Sequence, residues 1–372
     1  MRRLLILTAE YTGHGHKSIS DSLIERLRCY DDLEIRVIDG FDLMNKTQKV
    51  LAEKTYGPIT RLPGKAWEWN YLAGVRLQEP VQKAVDYMIR ARFQALIYEF
   101  RPDCILSVHP VFLGSILDLL EEMGLSIPLI AHEADLIDIA PYWFDPRISM
   151  VLTPSEESYR CTLDHGVNPA RVRQVGFPVR SRFMGLAEKA AAVKNDPPVI
   201  TVMSGSEGSG TLKGVVKQLL HGTNAKINVI CGRNKSIRKK LRKAFIKEYH
   251  DRMNAMGFVE RIQDVMCSSD ILIMRASPNS VMEAVALNKP VILFGQLAGQ
   301  ELHNPDMICA HGLAVYCPEP EKLPEAVARL QANGGEELRK MQEAQRRYAP
   351  GDAAADTAAL LNELIKPYWR EA

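Results

Sequence analysis

Residues 271–304, ILIMRASPNSVMEAVALNKPVILFGQLAGQELHN, constrain the fold more than any other part of the chain. The apolar run Ile271, Leu272, Ile273 and Met274 ends at Arg275, and the turn formers Ser277, Pro278, Asn279 and Ser280 follow. A helical pattern opened by a Ser, with Glu283 in its first turn, then leads to a second buried strand and a polar loop. That order is a parallel crossover whose helix start faces the loop. Free amides and the positive helix end favour an anion such as a diphosphate, and Glu283 suits ribose hydroxyls. The same pattern also serves as an ordinary βαβ crossover with no ligand.

The rest of the chain repeats the unit. At 372 residues it exceeds the ~100–200 of one domain, and two α/β series are legible. The first opens RRLLILTAEYTGHGHKSISDSLIERL: a buried strand, a Gly-containing turn, and a helix with Ile19, Leu23, Ile24 and Leu27 on one face. Further strands are expected at 34–38, 104–108, 128–131 and 150–153. Residues 184–198 (MGLAEKAAAVKNDPP) lack an apolar face and read as a linker. The second series runs from 199 through strands at 199–203, 227–231 and 256–259 to the opening element. The expected domains are therefore 1–183 and 199–350. Residues 351–372 carry an Ala-rich amphipathic helix that packs back on the first domain.

Composition excludes several classes. With 46% hydrophobic and 25% charged residues and no apolar run near the ~20 of a membrane span, the chain reads as globular. Arg2 and Arg3 precede only a strand-length apolar run, so no signal peptide is expected and the context is cytoplasmic. Seven scattered Cys without a CxxC pair indicate reduced thiols rather than disulfides or a zinc knuckle. Residues 233–252 are strongly basic, a pattern of a solvated helix face or of contact with anionic lipid or nucleic acid. Residues 41–100 break the rhythm: Trp67, Trp69 and Tyr71 stand beside several Lys and Arg, which suits an anionic headgroup layer. Core packing explains the two Trp equally well, because a spacing of two puts them on different sides of a helix.

Three loops of the second series suit a nucleotide: SGSEGSG, with Ser204, Gly205 and Glu207; CGRN, with Arg233; and the turn 275–280. Glycines admit phosphate close to the backbone, and Arg233 offers a fork of donors. SGSEGSG is neither GxGxxG nor a Walker sequence, which disfavours a dinucleotide or ATP site. In the first series TGHGH places His14, Gly15 and His16 after the first strand, facing the expected cleft. A neutral imidazole there suits a general base, above all if an acid such as Asp135 orients it; a polar turn His is the plainer reading. Zinc is disfavoured for want of a third ligand at suitable spacing.

The blocks TAEYTGHGHKSISDSL, PLIAHEADLIDIAPYWFD, GFPVRSRF, VMSGSEGSG, VICGRNKSIRKKL, MGFVERIQDVMCSSDILIMRASPNSVMEA and AGQELHN occur in this order. Together they resemble the monogalactosyldiacylglycerol synthase and processive diacylglycerol glucosyltransferase family, and more distantly the enzyme that adds N-acetylglucosamine to lipid I. The resemblance implies a glycosyltransferase B-type fold, two Rossmann-like domains facing across a cleft. It also implies hexose transfer with inversion from UDP-glucose or UDP-galactose to a diacylglycerol-type hydroxyl. No bound metal or cofactor is expected, no nucleic acid, and peripheral attachment to the inner face of an anionic cell membrane. By the same resemblance His16 matches the base, Asp135 the acid of a Thr-Asp pair, and Arg233 a phosphate-side Arg. Glu283 matches the ribose-binding acid, Gln300 and Glu301 sugar contacts, and Phe258 and Val259 the lining of the uracil.

Two departures stand out. The Gly-rich turn usual in the family is Arg275-Ala276-Ser277-Pro278-Asn279-Ser280 here, with Asn279 tolerant of positive φ and Ser280 able to cap the helix. Ala140 replaces a His before the Pro-x-Trp step, and His14 replaces a loop Gly. The first bears on sugar preference, the second on the acceptor. Competing readings are a transferase with a polyprenyl-linked or soluble acceptor, a nonhydrolysing UDP-sugar epimerase, and a noncatalytic UDP-sugar sensor.

Overall fold

The computed structural model describes residues 1–10, 14–50, 78–203, 212–296, 300–349 and 351–369. The chain forms two compact units. One comprises Met1–Arg180, Ala298–Gln300 and Asp352–Ala372, the other Ser181–Leu297 and Glu301–Gly351.

The first unit is built on six parallel strands: β1 (Arg2–Thr8), β2 (Leu33–Asp39), β3 (Cys104–Ser107), β4 (Leu129–His132), β5 (Met150–Thr153) and β6 (Val172–Gln174). Their order across the sheet is β2-β1-β3-β4-β5-β6. Leu4, Leu5, Ile6 and Leu7 of β1 are fully buried, the continuous apolar run expected of a strand covered on both faces. Helix α1 (His14–Leu27) buries Ile19, Leu23, Ile24 and Leu27, and α2 (Gln78–Phe100) buries Val85, Ile89, Phe93 and Ile97, both at helical spacing. Because β2 and β3 flank β1 on opposite sides, the winding reverses between β1 and β3. An open parallel sheet leaves its ligand crevice at the carboxyl ends of such strands. Helices α3 (Leu113–Glu122) and α4 (Glu156–Asp164) complete the layers.

The second unit repeats the plan with β7 (Val199–Met203), β8 (Lys226–Ile230), β9 (Met253–Met256), β10 (Ile271–Arg275), β11 (Val291–Gly295) and β12 (Val315–Tyr316), ordered β12-β11-β10-β7-β8-β9. Its reversal lies between β7 and β10. In chain order its helices are α5 (Ala187–Ala191), α6 (Leu212–Gly222), α7 (Lys235–Phe245), α8 (Ile262–Cys267), α9 (Pro278–Ala286), α10 (Asn304–Ala310), α11 (Leu323–Gln331) and α12 (Glu336–Tyr348). The last helix, α13 (Ala353–Leu364), returns to the first unit and packs on α1. Asp352 caps it through the Ala355 amide and pairs with Arg26 at 2.6 Å. Beyond it the Tyr368 amide donates to Asp103 Oδ1 (2.8 Å) and the Trp369 indole to the Pro102 carbonyl (2.9 Å).

Several expectations are modified. Residues 184–198 were expected as a linker, yet they contain α5 and lie in the second unit: Ala190 is fully buried, Asn195 bonds Asp270 twice, and the buried Lys289 ammonium donates to the Ala190 and Ser269 carbonyls. Ala-rich helices bury small faces that carry little apolar signal. The strand expected at 256–259 is β9, three residues earlier. It is an edge strand with alternating burial, and Phe258 stands beyond it on the surface. The short edge strands β6 and β12 have no apolar run to announce them. None of the described helices is long and apolar enough to cross a membrane.

Candidate active site

In the first unit the sheet reversal brings two histidines together. His16 sits in the first turn of α1 after Gly15, and His109 follows β3 by two residues. Their rings meet edge to face with centroids 4.6 Å apart. Nδ1 of His16 lies 2.7 Å from the Val108 carbonyl, which can only accept, so Nδ1 carries the proton and Nε2 presents a lone pair. Val108 is itself fixed by its N–H, which donates a hydrogen bond to the Leu7 carbonyl (2.9 Å). Burial lowers the His16 pKa to about 4, only partly opposed by that carbonyl, so the ring is neutral at neutral pH while part of the residue stays exposed.

His109 is held the opposite way round. Its Nδ1 accepts from the Val111 amide (3.4 Å) at the start of the 3₁₀ turn Pro110–Phe112, which leaves the proton on Nε2. Ser107 Oγ donates to the His109 carbonyl at 2.9 Å. Phe41 and Phe112 pack around the ring, and burial, then the neighbouring His16, hold its pKa well below the ordinary value. Gly40 is required here, because a Cβ at that position would stand 2.3 Å from the Phe112 ring.

At the end of β4 His132 and Glu133 are both fully buried. His132 Nδ1 donates to the Glu133 carbonyl (2.8 Å), and burial lowers its pKa to about 4. Glu133 Oε1 accepts from Thr162 Oγ1 (2.8 Å), and burial pushes its carboxyl well above the ordinary range, helped by the charge of Asp135. Asp135 was expected to orient His16. The backbone of Val108 does so instead, and the charge of Asp135 is felt at Glu133.

In the second unit the candidate residues gather at the ends of β8, β10 and β11. Each residue of CGRN has a structural reason: Cys231 is buried, Gly232 adopts φ +57°, Arg233 is exposed, and Asn234 caps α7 through the Ile237 amide (3.0 Å). The Arg233 guanidinium stands 5.2 Å over the ring of Phe258, which is 57% exposed, and Val259 beside it is half-buried. An exposed aromatic face under a cation suits a planar base with a phosphate nearby.

At the end of β10 the pairing with β11 skips a residue, from Met274↔Leu293 to Arg275↔Gly295. This bulge re-aims Arg275. Its guanidinium meets the buried Glu301 carboxylate at two points, Nε–Oε2 3.0 Å and Nη2–Oε1 3.2 Å. Arg275 was expected in the nucleotide turn and Glu301 at the sugar, and the contact places the two side chains side by side. The helix start also differs. Ser277 is the N-cap in extended conformation and Pro278 is the first helical residue, a position that suits its fixed φ and missing N–H. Asn279 and Ser280 therefore lie inside the first turn, neither at positive φ nor capping, and the buried Glu283 falls in the second turn. Asn304 secures the turn by donating from Nδ2 to the Ala276 carbonyl (2.9 Å); Gln300, four residues before it, is half-buried and falls in the first unit.

Ser204, Gly205, Glu207, Trp67, Trp69 and Tyr71 lie outside the described residues, as does the side chain of His14. Among the described residues no three His, Cys, Asp or Glu side chains gather to hold a metal. His109, His132, Glu133 and Asn304 were not singled out from sequence. The available signal was topological: each of the first three stands just after or at the carboxyl end of a central strand, β3 or β4, on the side where an open parallel sheet leaves its crevice.

Known proteins match along the whole chain. Residues 16–179 match the family model of monogalactosyldiacylglycerol (MGDG) synthase, and residues 199–356 that of the glycosyltransferase family 28 C-terminal domain. A probable chloroplastic monogalactosyldiacylglycerol synthase of Nicotiana tabacum is 27% identical over 394 residues, covering 98% of this chain and 71% of that protein. Among solved structures, MurG of Acinetobacter baumannii has a TM-score of 0.64 at 13% identity, covering 98% of this chain and all of its own. UDP-GlcNAc 2-epimerase of Neisseria meningitidis has a TM-score of 0.62 at 15% identity, with 98% and 100% covered. Both share the fold, so the fold alone does not separate transfer from epimerisation. The sequence does: with the two-domain glycosyltransferase B-type fold, the chain joins an N-terminal domain of the monogalactosyldiacylglycerol synthase family to a glycosyltransferase family 28 C-terminal domain.

Proposed function

We propose that this glycosyltransferase moves a hexose from UDP-glucose or UDP-galactose to the hydroxyl of a diacylglycerol-type lipid, with inversion, as a peripheral protein on the inner face of the cell membrane. The observation that carries the reading is the state of His16: a neutral ring with its proton fixed on Nδ1 and a bare Nε2 at the sheet reversal. In this reading the acceptor O–H gives its proton to Nε2 as the oxygen bonds to the anomeric carbon. The anomeric C–O bond to the diphosphate breaks, and UDP leaves from the face opposite the attack. The donor is held mainly by the second unit, its base on Phe258, its ribose at Glu283 and its sugar near Glu301 and the preceding Gln300. Charge on the departing diphosphate is met by Arg233 and by the amides of Asn279 and Ser280 at the start of α9, so no metal is required.

The test is a matrix of UDP-sugars against lipid and soluble acceptors with mass detection of products, run with and without EDTA. A glycosyl-diacylglycerol product, unchanged by EDTA and lost in His16→Ala, is expected. Turnover of UDP-N-acetylglucosamine without acceptor would favour the epimerase reading, and full activity in His16→Ala would remove the proposed base.

A further inference from the structure

The charge of this chain is concentrated in one place. Residues 233–252 carry nine Lys and Arg against two acids, whereas the whole chain is only +2, so the remainder sums to −5. The structure turns this stretch outward. Ile237, Leu241 and Phe245, four residues apart, form the stripe by which α7 packs on the core of the second unit. Lys239 and Lys243 point away from that stripe one turn apart, flanked by Lys240, Arg242 and Lys247, and all five are exposed. Among the described residues none of these five is ion-paired. Like charges one turn apart destabilise an isolated helix. The cost is tolerable because Leu241 and Phe245 anchor it, and it is relieved wherever an anionic surface supplies the counter-charge.

We propose that the outer face of α7 docks on an anionic lipid bilayer. Lys239 to Lys243 rise about 6 Å along a convex helix face, and Lys247 extends the row in the turn just past the helix end, which fits a plane of phosphate headgroups better than one small anion. Lys dominates over Arg, and the one aromatic ring between these cations, Phe245, is turned into the core. The face thus offers point charges to a diffuse field and lacks the stacking platforms with which proteins hold nucleic acid strands. The choice of a bilayer rests on the reading above that the acceptor is a lipid. The surface itself is separate from every residue assigned to the reaction.

The test uses the full chain and vesicles of phosphatidylcholine with or without phosphatidylglycerol, read by co-sedimentation. The wild type is expected to sediment with the anionic vesicles, to be released by added salt, and to ignore the zwitterionic ones. Lys239→Gln/Lys240→Gln/Lys243→Gln is expected to weaken anionic binding by about tenfold or more, while retaining transfer to diacylglycerol in neutral detergent micelles. Equal binding by variant and wild type, or no preference for anionic vesicles, would overturn the proposal. So would tighter binding to an oligonucleotide than to vesicles at the same ionic strength, lost in the variant. If no transfer occurs in micelles with either protein, the function reading fails while the vesicle comparison still decides the docking surface.

Discussion

A single backbone carbonyl decides what His16 can do. Val108 binds Nδ1, so the side chain reaches any substrate as a proton acceptor, with burial keeping it unprotonated down to about pH 4. His16→Ala should therefore lower kcat by about 10²–10⁴-fold with little change in UDP affinity, measured by steady-state transfer and by calorimetry. The same burial makes acid destabilising. His16 and His132, ordinarily near 6.5, titrate near 4 when folded, and His109 lies well below 6.5. Between those values the unfolded chain binds protons that the native state refuses, so stability is full above about pH 6.5 and falls as pH drops toward 4. Glu133 opposes this above its ordinary 4.5, since its raised pKa favours the protonated fold. His132→Gln should accordingly flatten the acid limb of urea midpoints measured against pH; an unchanged limb would place the effect elsewhere. In the second unit Arg275 and the buried Glu301 should be coupled: Arg275→Met costs about 1–3 kcal/mol by leaving the carboxylate short of a partner, and adding Glu301→Gln should recover part of it in a double-mutant cycle.

At the scale of elements, the central strands were legible because burial on both faces writes them as apolar runs, and β5 and β7 match their expected limits residue for residue. Legibility failed where geometry depends on one residue. Ser277 and Ser280 are chemically equal as caps, and only the preference of Pro278 for the first helical position separates them. His109 gave no local signal, since its role comes from β3 lying next to β1, a pairing between residues about a hundred positions apart. Likewise the Arg275–Glu301 pair depends on a bulge that no spacing encodes. The tight approach of Gly40 to Phe112 links fold and site. Gly40→Ala should destabilise the first unit by about 1–3 kcal/mol and reduce transfer, because the fully buried Phe112 that must yield packs against His109. Wild-type denaturation with wild-type activity in that variant would show the contact to be slack.

The molecule as a whole is two cores on one chain, and two cores need not melt together. If the second unit holds the donor, UDP should raise only one of two thermal transitions, by an amount that grows with ligand concentration. A calorimetric scan in which both shift equally would argue against that division. The return of the chain to its first unit through α13 sets an order of events during synthesis. The surface of α1 and the Pro102–Asp103 corner stay uncovered until residues 352–369 leave the ribosome, after every strand of the second unit has already emerged. The first unit is thus closed only after the second has been made, and a nascent chain stalled near residue 351 would carry a complete second unit while α1 of the first still lacked its cover.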